Sequence, residues 1–158
     1  MNKIVYTLGT STRSRDEFLS LLQEFGIQTV ADVRRFPTSR FEHFKQARLA
    51  DLLQKAGINY VYLGRKLGGY RPGGYEKYLA TADFQEGLKE LEEEARLSLT
   101  AVLCSERFPW RCHRRFIARE LERQGWQVIH IIDRERVWVP GKVNGQQSTA
   151  NYQLRTEE

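Results

Sequence analysis

Three times along this 158-residue chain an apolar helical stripe runs into a glycine and then almost at once into a short β-branched or aromatic run. Gly26 precedes Ile27 to Val33, Gly57 precedes Ile58 to Leu63, and Gly125 precedes Val128 to Ile132. A glycine just past a helix takes the left-handed backbone that ends it at little steric cost. Two further runs, Lys3 to Leu8 and Leu97 to Leu103, bring the predicted strands to five. Between them lie stripes at helical spacing: Phe18, Leu21, Leu22 and Phe25; Leu49, Leu52, Leu53 and Ala56; Phe84, Leu88, Leu91 and Ala95; and Ile117 with Leu121. Ser14 with Glu17 forms a capping box at the first of these, and Pro109 suits the first turn of the last.

Strands alternating with helices imply right-handed crossovers. The predicted fold is therefore α/β, a single domain with a mainly parallel five-stranded sheet and helices on both faces. That domain is expected over residues 1–133, with 134–158 a polar, non-periodic C-terminal extension that is expected to be flexible. The segment Gly64 to Gly74, with five glycines and three cationic residues, is expected to be a mobile loop.

No apolar run approaches the roughly 20 residues needed to cross a bilayer, and the opening residues resemble a strand rather than a signal peptide. No membrane association and a cytoplasmic location are expected. Two cysteines without an export signal point to reduced thiols instead of a disulfide framework. Charge is unevenly spread: residues 34–77 hold ten Lys or Arg against three Asp or Glu, and residues 83–96 hold two against six. Such a basic stretch suits an anionic partner, a small molecule or a nucleic acid. Oligomeric state is left open.

In a parallel sheet the loops after the strands share one rim, where open α/β sheets place their ligands. The densest chemistry on that rim is Leu103 to Ala118, L-C-S-E-R-F-P-W-R-C-H-R-R-F-I-A. Cys112 and His113 fall near a predicted helix start, where the dipole and neighbouring arginines favour a thiolate. Cys112 is the expected reactive thiol, His113 the proton relay and Glu106 the general acid or base or an ion-pair partner. Cys104, ending a buried strand, is expected to pack in the interior beside the ligand. Ser11, Arg34, Ser39, Arg40, Arg71 and Arg114 are the expected anion-binding residues, because guanidinium groups bind phosphate or carboxylate through paired donors.

Y-T-L-G-T-S at Tyr6 to Ser11, D-V-R-R-F-P-T-S-R at Asp32 to Arg40, L-G-G at Leu67 to Gly69 and L-C-S-E-R-F-P-W-R-C-H-R at Leu103 to Arg114 together resemble the prokaryotic family catalogued as domain of unknown function 488. Thr10 stands where that family's motif usually carries a histidine or another bulky ring. The resemblance implies a compact α/β domain with a polar pocket over the strand ends, and no particular reaction.

Other chemistries fit less well. Cys104, Cys112, His113 and His130 do not match the usual zinc spacings, and no metal or cofactor is expected. The cysteines are not a C-x-x-C pair, so the redox signal is weak, and the Cys104 to Arg111 interval is one residue too long for a phosphatase loop. Glycine spacings of a P-loop or dinucleotide fold are missing. Cations interleave with rings from Arg34 to Lys45, which suits non-specific nucleic-acid contact. The expected function is a small enzyme acting on a phosphorylated compound, nucleotide or nucleic-acid component. The alternatives are a non-catalytic anion or nucleic-acid binding module and, third, a metal or thiol-redox module.

Overall fold

A computed structural model describes residues 3–139. Its strands are β1 (Ile4–Gly9), β2 (Thr29–Asp32), β3 (Asn59–Tyr62), β4 (Thr100–Cys104), β5 (Gln127–Ile131) and β6 (Val137–Trp138). The helices are α1 (Arg15–Glu24), α2 (Gln46–Lys55), α3 (Gly64–Leu67), α4 (Tyr75–Tyr78), α5 (Ala82–Leu97) and α6 (Arg114–Arg123). The strands form one sheet in the order β3-β2-β4-β1-β5-β6, parallel throughout except for β6, which runs antiparallel to β5. The fold is thus single-domain α/β, as the alternation of strands and helices predicts, with a sixth strand added.

That sixth strand is two residues long and lies within the segment expected to be a flexible extension. Two residues carry no periodicity, so only the pairing of His130 with Trp138 and Ile131 with Val137 reveals it. The rest of the expected extension, 140–158, lies outside the described residues.

Local signals explain the element ends. Gly26, Gly57 and Gly125 take φ of 69°, 77° and 95°, the left-handed conformation that stops α1, α2 and α6. Ser14 caps α1 by accepting from the Glu17 backbone N–H at 3.0 Å. The acidic half of the capping box differs, since Glu17 pairs with Arg13 instead.

The two faces of the sheet hold separate cores. Phe18, Leu22, Leu49 and Leu53 of α1 and α2 pack on Leu8, Val30 and Leu103. Leu88, Leu91, Ile117 and Leu121 of α5 and α6 pack on Val5, Ala31 and Val102. The chain therefore leaves β1 and β2 toward one face and leaves β4, which lies between them, toward the other. A cleft opens where neighbouring strands send their connections to opposite faces. Cys104, the last residue of β4, sits at that point.

The segment 64–74, expected as a mobile loop, is pinned. It opens with α3, and Arg35 donates to the Tyr70 carbonyl at 2.5 Å. Tyr75 donates to the Leu67 carbonyl at 2.7 Å, and Arg71 donates to the Gly68 and Arg65 carbonyls at 2.8 and 2.5 Å. A Cβ on Gly68 would stand 2.3 Å from the Arg35 Cβ, so the glycine is there for close packing. Among the described residues no helix is long and apolar enough to cross a membrane.

Candidate thiol site at the end of the fourth strand

The side chains of Thr7 on β1 and His130 on β5 are register partners, and they share with Cys104 the sheet face that α6 covers. Into this space α6 sends Arg114, which is fully buried. Its Nε donates to Thr7 Oγ1 at 3.0 Å, and Nη1 donates to Cys104 Sγ and to the Glu106 carbonyl, both at 2.5 Å. Nη2 donates to the Arg107 carbonyl at 3.1 Å. Gly9 makes this possible: a Cβ there would lie 1.8 Å from the Glu106 carbonyl oxygen, so only glycine lets the 105–107 loop come down onto the end of β1.

Among the described residues no carboxylate pairs with Arg114. A buried guanidinium facing only neutral acceptors is costly, and of the four acceptors of this guanidinium the Cys104 thiol is the one that ionises as an anion in the ordinary pH range. Cys112 Sγ lies 2.6 Å from Cys104 Sγ with both thiols free, and so can donate its S–H to that sulfur. Burial alone would push the Cys104 thiol up, but the Cys112 hydrogen bond and then the charge and hydrogen bond of Arg114 overcome it and bring it down to about 6. The hydrogen bond to Cys104 and then burial push Cys112 up. The expected order is therefore reversed: the depressed thiol is Cys104, not Cys112.

The physical reason is local. Pro109–Arg111 forms a 3₁₀ turn and α6 starts only at Arg114. Cys112 has extended backbone ahead of the helix (φ −137°, ψ 151°), and its strongest contact is the other sulfur.

His113 is a neutral imidazole. Its Nε2 lies 3.2 Å from the Val33 carbonyl, which can only accept, so Nε2 carries the hydrogen and Nδ1 turns its lone pair toward Cys112 Sγ at 3.6 Å. Burial brings it down to about 4, against the Val33 hydrogen bond and with the Arg114 charge helping. Thr7 Oγ1, which accepts from Arg114, also pairs with His130 Nδ1 at 2.5 Å. Burial, then Arg114, holds His130 well below its ordinary value.

Above the two sulfurs lies a cavity of about 660 Å³, lined by Cys104, Cys112, His113, Glu106 and Arg34 among others. A second, of about 500 Å³, contains Ser11, Ser39 and Arg40 and shares Thr38, Ser105, Glu106 and Arg111 with the first. The expected site residues thus gather along one groove, with exceptions. Arg71 lines neither cavity; its guanidinium serves the loop carbonyls and stacks over the Tyr78 ring at 4.1 Å. Arg114 lies beneath the floor.

Arg34 is 3% exposed. Its Nε and Nη2 donate to Asp32 at 2.9 and 2.8 Å and Nη1 donates to the Phe44 carbonyl at 2.7 Å, so those donors anchor the loop after β2. Ser39 Oγ accepts from the Phe41 backbone at 3.0 Å, and Ser11, at φ 50°, accepts from Arg107 at 3.3 Å.

Two residues outside the expected set matter. Arg111 lines both cavities, and among the described residues its guanidinium has no partner; it lies in the motif block, one residue before Cys112. Thr7 links Arg114 to His130, and its only signal is a hydroxyl within an apolar strand. Exposed rings include Phe36 and Tyr70, which line the larger cavity 6.4 Å apart, and Trp110, which stacks on Phe108 of the second. Among the described residues no group of three or more His, Cys, Asp or Glu side chains is arranged to hold a metal ion.

A family model described as "Domain of unknown function DUF488" matches residues 14–121. No curated protein and no solved structure matches the chain.

Proposed function

The chain belongs to the domain of unknown function 488 family, and from that premise we propose that it is a small thiol-dependent enzyme acting on an anionic substrate, a phosphorylated compound or nucleotide. The observation that carries this reading is the contact of the buried Arg114 guanidinium with Cys104 Sγ at 2.5 Å beneath an open cavity. A thiolate is the nucleophilic form of cysteine, and one made at neutral pH by a fixed cation is what covalent catalysis requires. Arg111 holds the substrate's anionic group, with Arg40 and Ser39 along the joined groove for a second one. Cys112 stands beside the nucleophile with the proton for the leaving group, and the Nδ1 lone pair of the neutral His113 faces the Cys112 sulfur.

Alkylation by iodoacetate, an anion, compared with neutral iodoacetamide tests this reading. Relative to a free thiol, the protein is expected to favour iodoacetate, to lose that preference in Arg111→Ala, and to be protected by inorganic phosphate and nucleoside monophosphates. Compounds that protect are then assayed for conversion, which Cys104→Ser abolishes. Equal reaction with both reagents and no protection by phosphate contradict the proposal. The exposed Phe36, Tyr70 and Trp110 rings favour a second reading, a binding module for a ligand with a flat face; protection without conversion selects it.

A further inference from the structure

Two free cysteines, one ending β4 and one just before α6, hold their sulfurs 2.6 Å apart. A disulfide bond is about 2.05 Å long, so the sulfurs need to move only about half an ångström to close one. Both are buried, Cys104 at 1% and Cys112 at 7% exposure, yet both line the larger cavity. A protein disulfide cannot reach Cys104 in this position, whereas an oxidant a few atoms in size can. Arg114 makes Cys104 the better nucleophile, and Cys112, held against it, is placed to attack whatever forms on the Cys104 sulfur.

We infer that Cys104 and Cys112 are a dithiol–disulfide couple that reduces small hydroperoxides, with Cys104 as the attacking thiolate and Cys112 as the resolving thiol. This rests on the Cys104 thiolate of the proposed function. In the first step Cys104 Sγ attacks one peroxide oxygen and the O–O bond breaks. The departing alkoxide takes the Cys112 proton and leaves as an alcohol, or as water from hydrogen peroxide. Cys104 is then a sulfenic acid and Cys112 a thiolate. In the second step Cys112 attacks the sulfenic sulfur, the S–O bond breaks, and hydroxide leaves and is protonated by solvent to water. Two thiols have been oxidised to one disulfide, and the hydroperoxide has been reduced to alcohol and water. An external dithiol returns the couple to its reduced form by exchange.

Closing the bond removes the anion beside Arg114 and leaves that buried guanidinium with Thr7 and two backbone carbonyls. A couple whose reduced form is held by such a contact is the more oxidising for it. Arg114→Met therefore shifts the equilibrium against a glutathione buffer toward the disulfide.

The test uses the full chain, reduced and freed of reductant, with one equivalent of hydrogen peroxide. Expected are loss of both titratable thiols, an intact mass lower by two hydrogens, and full recovery with dithiothreitol. Cys112→Ser is expected to stop at a sulfenic acid on Cys104 that dimedone traps, and Cys104→Ser to consume peroxide no faster than free cysteine. Thiols that persist, or that pass to sulfinic acid without a disulfide, overturn the inference. The pH of half-maximal alkylation, measured on the same sample, separates the two readings. A midpoint near 6 without disulfide formation sinks the redox couple and leaves the thiol enzyme standing; an ordinary thiol midpoint sinks both.

Discussion

Arg114→Met is expected to move half-maximal alkylation of Cys104 from about pH 6 to about 8.5 or above, the ordinary thiol range and beyond it. Methionine fills much of the volume of the arginine stem but brings no charge and no donor. Cys104 then keeps the burial that raises its pKa and loses the cation that offsets it. The groups facing its sulfur are Arg114 from α6 and Cys112 from the preceding turn, with Thr7 and His130 one step further. Cys112 still donates to Cys104 in the variant, so the rise in the midpoint reads what the charge and donors of Arg114 contribute.

The same substitution strips donors from the Glu106 and Arg107 carbonyls, and unsatisfied buried acceptors cost about 1–3 kcal/mol each. Arg114→Lys keeps the charge without the fork that reaches four acceptors at once. Its midpoint is expected to stay below the ordinary range while stability still falls. A stability profile carries the matching sign. Cys104 is depressed in the folded state, so its stabilising contribution is fully present above the unfolded thiol pKa of about 8.5 and is lost as pH falls through about 6. Wild-type stability should rise across that window, and the rise should be absent in Arg114→Met.

Asp32→Asn is expected to cost about 3–5 kcal/mol, because it leaves a buried guanidinium without its counter-charge. Asp32 is 0% exposed and Arg34 3%. Asp32 also accepts from the Tyr60 hydroxyl at 2.7 Å, and Arg34 carries the bond to Phe44 O that holds the loop after β2 against the cavity. Urea denaturation reads the loss as a lower midpoint with an unchanged slope. Replacing both partners by apolar residues of similar size, Asp32→Leu with Arg34→Met, should recover much of it, since a buried ion pair and a well-packed apolar pair are often nearly equal in stability. A double variant as unstable as the sum of its parts would show that the pair does more than cancel its own charges.

Much of the architecture was legible because it is written locally. Gly26, Gly57 and Gly125 mark helix ends whatever surrounds them, and Ser14 caps α1 through a residue three positions on. Part of what was missed depends on distance along the chain. Arg35 holds the glycine-rich segment by donating to the Tyr70 carbonyl 35 residues on; β6, though close to β5 in sequence, is two residues long and too short to carry a pattern.

The candidate site divides in the same way. That the block from Leu103 to Ala118 floors a pocket followed from its place at a strand end. Which cysteine ionises did not, because a dipole argument about Cys112 is local, whereas Cys104 answers to Arg114 ten residues later and Thr7 on another strand. The fate of Arg34 did have a signal: D-V-R puts an acid and a base two residues apart where a strand ends, on the same side of the chain.

The central claim is that Arg114 holds Cys104 as a thiolate at neutral pH. Its most direct measurement is the ultraviolet absorbance of the thiolate against pH in the reduced protein, repeated with Cys104→Ser and Cys112→Ser. One ionisation with a midpoint near 6, lost in Cys104→Ser, is the predicted result. No thiolate absorbance until about pH 8.5, the range of an unperturbed thiol, would contradict it.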